Sequence, residues 1–258
     1  MLHGRRRLVR LAAAAMAGAG CLAAASCAAP PQAATAIRAW VAPDPLAGLT
    51  GHAVELKAAN DAAAARTLVM NGTVSQSGSS YTLDLAIKRG QGCSGTVAFS
   101  GKGSVKLTVI GTTVYLNGDK KFWTSVSGAN ASSAVVGLLN GRYIKVPSDD
   151  PDAASLAGLC NISTKFGPDG TSAAVTREPL TVLDGTRVVP LKVPGGTTDY
   201  VTDTSAPELF EATATNGTQG TGRMMFAFGA KVTVAAPPAS QVIDGAQLGL
   251  GRGGPVLA

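Results

Sequence analysis

Residues 80–90 read "SYTLDLAIKRG". Tyr81, Leu83, Leu85 and Ile87 alternate with Thr82, Asp84, Ala86 and Lys88. A period of two sends alternate side chains to opposite sides of an extended chain, so this is a strand with one buried face. Working outward, "RTLVMNGTVSQ" (66–76) reads as its hairpin partner across the turn "SQSGSS" (75–80). Downstream, "CSGTVAFSG" (93–101) sets Val97 and Phe99 on one face, and "GSVKLTVIG" (103–111) sets Val105, Leu107 and Val109 together. "TTVYLNG" (112–118) makes a short fifth strand. Glycine-bearing turns join these runs at near-regular intervals, which predicts an antiparallel meander.

The flanks change period. Before the meander, Val54, Ala58, Ala62 and Ala65 recur at helical spacing among good helix formers, with Thr50 placed to cap the start. After it, "DKKFWTSV" (119–126), "SGANASSAVVGLLNG" (127–141) and "DDPDAASLAGLC" (149–160) read as short helices, with Ser127 and Asp150 or Asp152 as caps. Strand character returns at "AAVTREPLTVL" (173–183), "GTRVVPLKV" (185–193), "TDYVTDT" (198–204), "PELFEAT" (207–213) and "GRMMFAFGAKVTV" (222–234). Residues 241–258 are glycine-rich and are expected to form a loose, flexible tail. Strands segregated from helices give an α+β class rather than a parallel βαβ fold. About nine antiparallel strands must twist and curl, leaving an apolar interior between the sheet and helices on its concave side.

The N-terminus has a separate logic. Arg5, Arg6, Arg7 and Arg10 precede an apolar run from Leu11 to Ala25 that ends in small residues. That order describes an export signal over residues 1–26, and the run is short for a membrane-spanning helix. "LAAASCAAPP" (22–31) then places Cys27 where the signal ends. Ala24-Ala25-Ser26-Cys27 resembles the lipobox of bacterial lipoproteins, in which a diacylglycerol is attached to the cysteine sulfur before cleavage. The usual Leu three residues before the cysteine is Ala24 here. Cys21 is the rival site, and an ordinary secreted chain with an incidental cysteine is the plain alternative. An acylated Cys27 would make residues 27–44 a Pro/Ala tether to the outer face of the plasma membrane, ahead of a domain spanning 45–240.

Composition narrows the remaining classes. Of 22 basic residues, four belong to the leader, leaving 18 against 16 acids, a balance of +2. With few aromatics and scattered charge, no nucleic-acid footprint is present. If Cys21 leaves with the leader and Cys27 is acylated, Cys93 and Cys160 remain in an oxidising compartment, where pairing is the default. Two free thiols, or one reactive thiol, are the alternatives.

Chemistry-bearing motifs are sparse. His52 is the single histidine beyond the leader, too few for a zinc site. Neither G-x-S-x-G nor H-E-x-x-H occurs. "GLGRGG" (249–254) satisfies G-x-G-x-x-G but lacks a preceding strand and a following helix to cradle phosphate. "SDDPD" (148–152) lacks the glycine and distal glutamate of a calcium loop, and helix capping accounts for it. The expectation is a non-enzymatic protein without cofactor or metal.

Several segments together resemble a known group: "DPLAGLT" (44–50), "GCSGTVAFSGKGSVKLTVIGTTVYLNGDKKFW" (92–123), "DGTRVVPLKVPGGTTDYVTDTSAPELFEAT" (184–213) and "FAFGAKVTVAAPPASQVID" (226–244). They are similar to the LppX/LprG group of envelope lipoproteins, which share a fold with the carrier LolA. The likeness covers roughly residues 44 to 244, with "VTVAAPPASQVID" as last strand and exit. It implies a strongly curved antiparallel sheet, a half-barrel, with helices on the concave side plugging the mouth of an apolar cavity. It further implies that the cavity takes acylated lipid or glycolipid and passes it through the cell envelope, to a transport partner that nothing in the sequence names. On that reading Leu83, Leu85, Ile87, Val97, Phe99, Val105, Leu107 and Val109 line the pocket, and Val135, Val136, Leu138 and Leu139 form its lid. The rival expectation is an envelope interaction module in which the same residues pack solidly as core. A hydrolase is the least favoured class, because no triad or metal set can be assembled.

Overall fold

The computed structural model describes residues 43–76, 78–126, 133–161, 174–217 and 220–248. Cys27 and the residues read as export signal and as most of the tether lie outside the described residues, as does "GLGRGG". In chain order come α1 (Gly51–Ala64), β1 (Thr67–Gln76), β2 (Ser79–Lys88), β3 (Gly92–Phe99), β4 (Gly103–Ile110) and β5 (Thr113–Gly118). Then follow α2 (Lys120–Val126), α3 (Ser133–Leu139), β6 (Tyr143–Pro147) and α4 (Pro151–Ala157). The chain continues through β7 (Thr176–Arg177), β8 (Thr181–Leu183), β9 (Thr186–Val193), β10 (Thr197–Thr202), β11 (Leu209–Gly217), β12 (Gly220–Phe228) and β13 (Val242–Asp244).

All thirteen described strands form one sheet in the order β13-β6-β5-β4-β3-β2-β1-β12-β11-β10-β9-β7, with β8 also pairing β9. Its two ends, β13 and β7, do not pair, so the sheet is large, curved and open. The architecture is α+β, as the pattern of periods predicts. Ladder register shows which residues share a face, because directly opposed residues point the same way. Leu68 and Met70 lie opposite Ile87 and Leu85 on β2, and opposite Phe228 and Phe226 on β12. The same face runs on through Met224, Ala212, Asp199 and Leu191. Two apolar clusters sit on it. One joins β1–β6 to Phe122 and Trp123 of α2, Val136 and Leu139 of α3, and Ala153 and Leu156 of α4. The other joins Val54 and Ala58 of α1 to Val189, Leu191 and Val201. The described helices therefore roof one face of the sheet.

Three elements depart from the sequence reading. "RYIKVP" falls between two stretches read as short helices and is not itself read as strand, yet Tyr143–Pro147 is β6, completing the ladder beside β5 through Val114↔Val146 and Leu116↔Ile144. Its two buried residues, Ile144 and Val146, are too short a run to show a period. The expected tail from 241 begins later: Val242–Asp244 adds to β6 as a parallel strand and Gly245–Leu248 turns once as a 3-10 helix. Residues 232–234, read as strand and as part of the terminal strand of the resemblance, are irregular in the described structure.

Candidate functional site

At one end of the sheet, the end of β3, the β3–β4 turn, α2 and α4 surround a cavity of about 180 Å³, lined by Phe99, Lys102, Phe122, Ser125, Val126 and Leu156. Local sequence explains why these elements converge. The Asp119 carboxylate accepts from Phe122 N at 2.7 Å, capping the first turn of α2, and from Ser104 N and Oγ at 2.8 Å each. One side chain thus fastens the helix start to β4. Burial pulls the Asp119 carboxyl upward, but these hydrogen bonds outweigh it and hold the group below its ordinary value. Gly103, at φ +89°, is required here: a Cβ would lie 2.3 Å from Asp119 Oδ1 and 2.4 Å from Phe122 N.

Aromatic packing shapes the cavity wall. Phe122 meets Trp123 edge-on at 5.1 Å between centroids and stacks beside Phe99 at 6.1 Å. Ser125 Oγ donates to Lys102 O at 3.1 Å and Phe122 O at 2.8 Å, closing the rim. On the far side, the Cys93–Cys160 disulfide, with Cα atoms 5.5 Å apart, ties the end of the α4 segment to β3. The cavity therefore has an apolar wall and one cation, Lys102, at its edge. An engineered apolar cavity of about 150 Å³ accommodates a benzene, whereas ligand pockets usually reach about 300–1,000 Å³. At about 180 Å³ this one falls between the two.

The residues expected to line or close a pocket separate into groups. Leu83, Leu85, Ile87, Val97, Val105, Leu107 and Val109 are between 0 and 7 % exposed and pack in one cluster with Val136 and Leu139. Phe99 is half-buried and lines the cavity. Leu138, read as lid, is 46 % exposed on α3. The side chain of Val135 and all of Cys27 lie outside the described residues. Sequence reasoning missed Phe122, Val126 and Leu156. The first two are four apart on one helix, the spacing at which side chains share a face.

Beyond the cavity, Met224, Phe226 and Phe228 extend the apolar face along β12, partly buried against the first cluster. Under α1, Asp199 faces inward near Glu55, and its carboxyl is pushed up to about 6, first by burial and then by the Glu55 charge. Glu55 in turn lies 3.8 Å from His52 Nδ1. Among the described residues no group of three or more His, Cys, Asp or Glu could hold a metal. No described helix is long and apolar enough to cross a membrane.

No family model and no curated protein matches this chain. Among solved structures it is similar to LprF from Mycobacterium bovis, at 15 % identity over 73 % of this chain and 97 % of that one, with a TM-score of 0.48. It is also similar to the Pseudomonas aeruginosa MucA/MucB complex, at 10 % identity over 74 % of this chain and 59 % of that one, with a TM-score of 0.30. Neither assigns this chain a family.

Proposed function

We propose that this protein is a non-enzymatic lipoprotein of the bacterial envelope, anchored through Cys27, that takes an acyl chain of a lipid or glycolipid between its sheet and helices. The observation that carries the reading is the roofed apolar face with a cavity opening beside Lys102 and Ser125. Burying hydrocarbon there is favourable by about 25 cal/mol per Å² and requires no directional contact. The sequence supplies the rest of the support: an export signal, a lipobox-like cysteine and the segments that resemble LppX/LprG proteins. In this account α2 and α4 part from β3 to admit more of the chain than the present cavity holds, and the head group stays at the rim.

A second reading, an envelope interaction module, is favoured by one specific observation. The strand residues from Leu83 to Val109 already fill the space between sheet and helices with each other. Lipid uptake separates the two. The protein recovered from its own cell envelope is examined by native mass spectrometry, and the unacylated chain from residue 28 is titrated with a fluorescent fatty acid. The carrier reading expects a lipid adduct and saturable uptake, weakened about tenfold when Val126→Trp fills the cavity. Labelled palmitate entering the wild type and not Cys27→Ala reports the anchor. Absence of both adduct and uptake would leave the interaction module standing.

A further inference from the structure

Between Lys102 and Lys145 the chain carries six cations, Lys102, Lys106, Lys120, Lys121, Arg142 and Lys145, against one acid, Asp119. All six are exposed, and none makes an ion pair among the described residues. Asp119 is occupied by Ser104 and Phe122 N. The ladder gathers four of the cations. Because β3, β4, β5 and β6 are antiparallel neighbours, the β3–β4 turn, the β5–α2 link and the α3–β6 link all lie at one end of the sheet. That end carries Lys102, Lys120, Lys121 and Arg142. The turn and helix touch: a Cβ on Gly103 would lie 3.0 Å from the carbonyl carbon of Lys121. The cavity opens there too, with Lys102 in its lining. The acids Asp149 and Asp150 follow β6 at its opposite end. The arm is thus polarised along its strands.

We propose that this cationic end docks on an anionic bilayer surface, turning the cavity mouth toward the lipid. Charge complementarity selects the occupant: clustered, unpaired lysine and arginine are attracted to a negatively charged leaflet, each adding about fivefold to binding near the surface at modest salt. Leu138, exposed on α3 of the same roof, adds an apolar contact for the interface. Docking rests on the proposed lipid door only for its purpose. It is measured without any guest in the cavity, and uptake of a fatty acid from solution needs no bilayer, so either can fail alone.

The test uses the unacylated chain from residue 28, whose sheet and both apolar clusters lie within the described domain. It is floated with vesicles of phosphatidylcholine, or of phosphatidylcholine mixed with phosphatidylglycerol, at low and at physiological salt. The expected result is binding to the phosphatidylglycerol vesicles alone, weakening with salt. The combined variant K102Q/K120Q/K121Q/R142Q should reduce that binding more than about tenfold. K57Q/K192Q, which removes two cations from the arm under α1, should leave it unchanged. Indifference to phosphatidylglycerol, or equal losses from the two variants, would overturn end-on docking.

Discussion

The two halves of the sheet handle charge and closure differently. Under α1, cations are spent on neighbours. Arg177 reaches Asp44 Oδ2 at 2.9 Å and donates to the carbonyls of Leu46 and Leu49, while Arg187 meets Asp203 at 2.7 Å. Burial and the neighbouring Asp44 carboxylate push Asp203 upward, and Asp44 is held low against its own burial by Asp203, the Leu46 amide and Arg177. Arg89 from the β2–β3 turn donates to the carbonyls of Ala62 and Ala63, where the dipole of α1 is negative. Around α2 and α4 the cations make no ion pair among the described residues, and closure depends on a disulfide and on aromatic packing. The contrast teaches that one half is built to stay shut by polar ties, while the other keeps its charge for something outside the molecule.

The largest expected effect falls on the stapled half. Cys93 and Cys160 close a loop of 67 residues, and losing that crosslink should lower stability by about 4 kcal/mol in the chain-entropy model. Urea unfolding of Cys160→Ala against wild type measures it. Hydrogen exchange sharpens the comparison, since amides of α4 should lose protection before those of α1. Equal loss in both would mean that the halves unfold as one.

The next effect belongs to the other half. Asp199 holds its proton up to about pH 6 when folded, against 3.8 ordinarily. The folded state therefore binds more protons across that window, and stability falls as pH climbs from about 4 to about 6. Asp199→Asn should flatten this slope and stabilise the protein at neutral pH, by no more than about 3 kcal/mol. Thermal melts of both forms across the window check the sign. The smallest expected change is Asp119→Ala, which removes the α2 cap and its tie to Ser104 and should cost about 1–2 kcal/mol. It should also raise exchange at the Phe122 amide and leave α1 untouched.

Much of the fold was legible because the evidence for it is local. The alternation in "SYTLDLAIKRG", the glycine turns and the Thr50 cap, which accepts from Ala53 N at 3.2 Å, each lie within a few residues of one another. The cap of α4 was legible as Asp150 or Asp152 for the same reason, and it is Asp150 that accepts from Ala153 N, at 3.1 Å. So was the pairing of Cys93 with Cys160, by count and compartment rather than by geometry. The site was harder. Alternation marks Leu83 to Val109 as inward-facing, yet inward does not distinguish a lining from a core, because both demand the same side chains.

What the sequence by itself determined was an α+β chain with helices set apart from strands and an inward face on each strand of the meander. Periodicity, capping and charge are properties of short windows, and each is readable where it stands. Only the tertiary structure decided that β6 and β13 extend the sheet, that Phe99, Phe122, Val126 and Leu156 surround the cavity, and that four cations share its end. Those facts depend on residues brought together across strand register and helix packing, where small volumes and distant neighbours settle what a side chain touches.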